Sequence, residues 1–126
     1  MELNPDCVRD ILLTVEEHSP WRYSQDGIVV ERLQKYTHEE LVYHIRQCAY
    51  SKLILSKRLE NILGDMRIDD LSPDGHKFLS NVRQDTTWNR TKSIAGKIGA
   101  KSIDLLVQIA SNVMTELIKS MTGSTP

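Results

Sequence analysis

Within the stretch DLSPDGHKFLSNVR, Ser72, Asp74 and His76 fall inside five positions and supply the residue types of a hydrolytic triad. A nucleophile, its base and the group orienting that base must meet in space, and they normally come from separate segments. Side chains this close at a helix start diverge. Ser72-Pro73-Asp74 instead has the chemistry of a helix N-terminus: a hydroxyl cap, a proline in the first turn and an acid at the positive end of the dipole. His44 and Cys48 stand four apart on a helical stretch and could share a metal, but no second ligand pair has matching spacing. A packed cysteine and a helix-surface histidine are expected there. No P-loop, dinucleotide glycine motif or nucleophile elbow is present. The chain therefore reads as a non-enzyme, with no catalytic residues, metal ligands or cofactors.

The elements around these residues follow from spacing. Asn4, Pro5 and Asp6 start a helix whose apolar stripe is Val8, Ile11, Leu12 and Val15, and Ser19-Pro20 stops it. Residues 21–27 are polar and turn-rich, and IVVERL (28–33) is β-branched enough to predict a strand. Thr37 and Glu40 stand in the capping-box relation at the head of a second helix. Leu41, Ile45, Cys48 and Ala49 form its buried face, so Tyr43, Arg46, Gln47 and Tyr50 point largely the other way. Next, Leu53–Leu59 is predicted to pair antiparallel with Met66–Leu71 around a turn containing Asn61 and Gly64-Asp65. The helix begun by Ser72 carries Phe78, Leu79 and Val82 on its apolar face. A basic stretch punctuated by Trp88, Ile94 and Ile98 is broken at Gly96 and Gly99. From Ser102 a last helix runs through Met121, its end marked by Gly123. Ile103, Leu106, Ala110, Val113 and Leu117 step along it in threes and fours, a seam that suits either the chain's own core or a second copy.

Charge is divided unevenly along the chain. Residues 1–40 hold nine acids and four bases, a balance of −5, and the remaining residues hold eight acids and twelve bases, a balance of +4. Arg46, Lys52, Lys57 and Arg58 fall in 41–59 without an acid, and Arg90, Lys92, Lys97 and Lys101 do the same in 86–103. Such segments can meet phosphates or form a solvated face. With 126 residues, one domain is expected. The acidic, helix-starting N-terminus is unlike a signal peptide, and no apolar run approaches the roughly 18 residues of a membrane helix. Cys7 and Cys48 make no disulfide framework and are expected as buried thiols. A cytoplasmic protein without membrane contact is the resulting expectation.

Helix, strand, capped helix, two-stranded wing and helix is the order of a winged helix-turn-helix domain. The fold expected is mainly α with a small β wing: a winged-helix-like core over residues 1–86 and a C-terminal helical extension over 87–126, one domain overall. The stretches LNPDCVRDILL, YTHEELVYHI, DLSPDGHKFLSNVR and WNRTK resemble an uncharacterised bacterial and prophage-borne family, a domain of unknown function. The resemblance implies a winged-helix-like core, a helical extension and a bacterial or phage setting, and no established activity. Two features depart from a standard helix-turn-helix. Only Arg32 to Tyr36 is available for the helix before the recognition helix, and Lys52 stands where such domains often place glycine. The leading expectation is an accessory or regulatory factor that binds double-stranded DNA. Tyr43, Arg46, Gln47 and Tyr50 would read it, with Lys52, Lys57, Arg58 and Arg67 on or beside the wing. The alternative is an interaction module whose same face meets a phage or host protein. A homodimer through the last helix is a further expectation, with the seam Ile103, Leu106, Ala110, Val113 and Leu117 as its interface.

Overall fold

The computed structural model describes residues 1–123. Helix α1 (Pro5–His18) starts as its sequence dictates: Asn4 Oδ1 accepts the Asp6 N–H at 3.0 Å and Pro5 opens the helix. Val8, Ile11, Leu12 and Val15 are fully buried. Beyond the cis Ser19–Pro20 peptide, the chain enters strand β1 (Trp21–Tyr23). That strand lies in the segment expected to be a turn. Its alternation is short but visible, with Tyr23 buried, Arg22 exposed and Trp21 half-buried.

The expected strand over 28–33 does not form. Ile28 is fully exposed, and Glu31–Leu33 coils into one 3-10 turn that buries only Leu33. The β-branched residues there have no edge to pair with, because β1 has taken it. This turn is all that stands before α2 (His38–Tyr50), as the short interval in the sequence required. Thr37 and Glu40 close the capping box at 3.1 and 3.0 Å.

The hairpin forms where expected, with an interruption. Strand β2 (Ile54–Leu55) pairs antiparallel with β4 (Asp70–Leu71), in the register Ile54↔Leu71 and Leu55↔Asp70. Further out, Glu60 bridges to Met66, and the Arg67 N–H donates to the Leu59 carbonyl at 2.8 Å. Residues 56–58 leave the ladder between these pairings. Strand β3 (Met66–Ile68) also pairs with β1, in the register Tyr23↔Met66, Arg22↔Arg67 and Trp21↔Ile68. Met66 thus has partners on both sides, so the 66–71 segment is the central strand. Met66 and Ile68 point into the core.

Ser72 caps α3 (Pro73–Val82) by accepting the Gly75 N–H at 2.9 Å. Its own hydroxyl donates to the Lys52 carbonyl at 2.6 Å, which ties the start of α3 to the end of α2. Gly75 permits this closeness, since a Cβ there would collide with the Leu53 carbonyl oxygen. Phe78, Leu79 and Val82 are fully buried. Helix α4 (Asp85–Ile98) runs straight through Gly96, which is exposed, and stops at Gly99 in the left-handed region (φ 68°). The break expected at Gly96 is therefore absent: one glycine on a solvent face costs less than the helix gains by burying Thr91 and Ala95 on the opposite face. Helix α5 (Ile103–Met121), capped by Ser102, packs across α3 and α4. One contiguous core joins the five helices of the described residues to the strands, so residues 87–123 share it with the rest of the chain. No helix among the described residues is long and apolar enough to cross a membrane.

Candidate functional site

The residues that invited a catalytic reading are dispersed by the fold. Ser72 is buried with its hydroxyl committed to the cap and to Lys52, whereas Asp74 and His76 are exposed on α3. Asp74 borders a cleft between α3 and α5, opposite Asp104 and Gln108. His44 departs from the surface position expected of it and is buried. Its Nε2 accepts the Asn4 N–H at 2.8 Å, and its Nδ1–H donates to the Glu40 carbonyl at 2.6 Å. Both ring nitrogens are therefore occupied. The reason lies in α1, whose N-terminus packs on α2 and brings a backbone donor that α2's own periodicity cannot reveal. Cys48 is fully buried, and burial pushes its thiol up to about 12. Cys7 is raised by the same cause. Among the described residues no cluster of His, Cys, Asp and Glu is placed to hold a metal.

The expected binding residues gather on α2 and the hairpin. Tyr50 stands 69% exposed at the end of α2, Arg46 is exposed a turn before it, and Gln47 and Tyr43 are half-buried. The Tyr43 ring meets the His44 ring edge-on at 4.9 Å between centroids. Across from the helix, Glu60 on the hairpin takes Arg46 through two bonds, Nε to Oε1 at 2.6 Å and Nη2 to Oε2 at 3.2 Å. The Arg46 guanidinium holds the Glu60 carboxyl below its usual range. The sheet repeats this pattern. Arg22 and Arg67 are directly opposite each other, a like-charge pairing that would destabilise the strands if uncompensated. Arg22 is joined to Asp65 and Arg67 to Asp69, the latter at 3.4 Å. Lys52, Lys57 and Arg58 are exposed, and their charged groups have no ion pair among the described residues. In the second basic segment, Lys92 joins Asp6 and Lys101 joins Glu2, both at 3.0 Å.

Glu60, Asp65, Asp69 and Arg22 were not among the expected site residues, because single-strand alternation does not show which charges will face each other across a sheet. The turn at Asn61 and Gly64-Asp65 forms as expected, but Ile62 and Leu63 at its tip were missed as site residues. Asn61 Oδ1 accepts the Leu63 and Asp65 N–H groups at 2.9 and 3.0 Å, and Gly64 takes φ 85° to close the turn. This fixed loop holds Ile62 93% and Leu63 79% exposed. The signal was in the sequence: two large aliphatic residues occupy a turn that ordinarily carries polar ones.

A family described as "Hypothetical protein (DUF2513)" matches residues 2–101. The chain belongs to that family. Its match takes in the whole α2–hairpin face and stops just before α5. An uncharacterised protein from Haemophilus influenzae is 27% identical to this DUF2513 chain, over 94% of the chain and 99% of the relative. No solved structure matches it.

Proposed function

We propose that this DUF2513 chain is a non-enzymatic winged-helix protein of bacterial or phage origin that docks a protein partner through α2 and the hairpin. The winged-helix reading is supported by the order of elements and by the central position of the 66–71 strand between β1 and the hairpin's outer arm. The character of the face supports a protein partner. Its prominent arginine is paired with Glu60, and beside the exposed cations Lys52, Lys57 and Arg58 the face presents Tyr50, Ile62 and Leu63. Aromatic and aliphatic anchors beside an ion-paired arginine suit a protein interface. A DNA reader instead keeps its arginine available to base edges. The Arg46–Glu60 pair is the observation that carries this reading.

DNA is the second reading, favoured by Lys52, Lys57 and Arg58, which could meet phosphates while Arg46 exchanged Glu60 for a base. Affinity capture from the native host, with wild type beside Tyr50→Ala and Ile62→Ser/Leu63→Ser, separates the two. The expected result is a protein retained by wild type, lost by both variants and insensitive to moderate salt. A random-sequence duplex shifted at low salt and released steeply by added salt, with no protein lost on mutation, overturns the protein reading in favour of DNA.

A further inference from the structure

The apolar stripe of α5 does not stop where the core stops. Leu106, Ala110 and Val113 are buried under α3 and α4, yet Leu117, Ile118 and Met121 continue the same spacing while 38%, 52% and 78% exposed. Beside this overhang runs a surface groove between α4 and α5, floored by Ile109 and Val113 and edged by Arg90 from α4 and Glu116 from α5. Neither Arg90 nor Glu116 forms an ion pair within the chain among the described residues. Opposite charges on the two rims of one apolar groove make it self-complementary. A two-fold rotation carries the Arg90 of one copy towards the Glu116 of the other, and the reverse pair forms at the same time. A membrane surface would favour cations on both rims, and an unrelated partner gives no reason for the pairing.

We propose that a second copy of this chain covers this groove, with α4 and α5 of each copy laid against those of the other and each α5 overhang resting on its partner. This relocates the self-association expected from the sequence. Ile103, Leu106 and Ala110 serve the chain's own core, and the contact between copies moves to the outer face of α4 and α5, where Leu117 and the outer edge of Val113 are what that seam contributes. The surface is separate from the α2–hairpin face, so either can fail alone. Sedimentation equilibrium across a concentration series is the test. Wild type is expected to approach about twice the 14.4 kDa of one chain. Arg90→Glu and Glu116→Arg, each shown by circular dichroism to melt like wild type, are each expected to raise the dissociation constant about tenfold or more, because each sets like charges together twice. The double exchange restores the dimer, and Tyr50→Ala leaves the mass unchanged. A wild type that stays monomeric at every concentration overturns the proposal. So does a dimer indifferent to either reversal, or a double exchange that fails to restore it.

Discussion

His44 is held between two backbone groups that together specify a single protonation state: the Glu40 carbonyl needs a proton on Nδ1, and the Asn4 N–H needs a lone pair on Nε2. A second proton would abolish that acceptor and place a positive charge at the N-terminus of α1, the positive end of its dipole. Burial lowers the pKa of His44, and its hydrogen bond and proximity to Glu40 only partly oppose that shift. Unfolded, the imidazole titrates near 6.5. Between the two values the unfolded chain binds the extra proton, so stability rises with pH there. The contribution is complete above about pH 6.5 and is lost as the pH falls through the lower folded value. Thermal melts of wild type and His44→Gln between neutral and mildly acidic pH check this. The wild-type melting temperature is expected to fall faster with acidification, and parallel curves would show that folding does not change the proton affinity of His44. Nothing in the α2 pattern foretold this role, because hydrophobic periodicity records which face is buried but not which backbone group of another helix it meets.

At the scale of elements, the end of α2 carries a strained residue. The Leu53 N–H donates to the Cys48 carbonyl at 2.9 Å and the Lys52 N–H to the Ala49 carbonyl at 3.0 Å, the paired bonds of a Schellman ending. That ending requires a left-handed residue, and Lys52 supplies it at φ 60°. A side chain in this conformation costs about 1–2 kcal/mol that glycine avoids. Lys52→Gly is therefore expected to stabilise the fold by about 1 kcal/mol, less than the full strain because glycine adds freedom to the unfolded chain. An unchanged or lower urea midpoint would contradict it. The left-handed site was legible in advance, from the position of Lys52 after a capped helix. So were α1, α2, α3, α5 and the hairpin, because caps and apolar stripes are local signals. The strand assignment failed at 21–33 because strands are chosen by partners. Trp21–Tyr23 had a neighbour in Met66–Ile68, and the more β-prone Ile28-Val29-Val30 had none. The candidate face was legible as residues on one side of α2, but its charge balance was not, since Glu60 reaches Arg46 only after the hairpin folds back.

The whole molecule depends on contacts far apart in sequence. Phe78 is the only phenylalanine, is fully buried, and lies where α3, the end of α2 and α5 converge. Phe78→Ala is expected to cost about 3–5 kcal/mol, measured by denaturant unfolding, and a loss below about 1 kcal/mol would mean that the surrounding helices close the gap. A sharper test concerns α5 itself. The family match ends at residue 101, which would make α5 an appendage to a complete unit. Packing argues the reverse. Removing residues 103–126 strips Ile103, Leu106, Ile109, Ala110 and Val113 from one contiguous core and opens α3 and α4 to water along the faces that α5 covers. Apart from Ala110, each of these side chains contributes roughly 1.5–3 kcal/mol by burial, and a domain's whole stability is only about 5–15 kcal/mol. The truncated chain ending at Ser102 is therefore expected to lose its cooperative thermal transition, with retained far-ultraviolet helicity but collapsed near-ultraviolet signal from the tryptophans. If that chain melts cooperatively near the wild-type temperature, the first 102 residues fold alone, and the apolar surface of α5 has a role outside the core of its own chain.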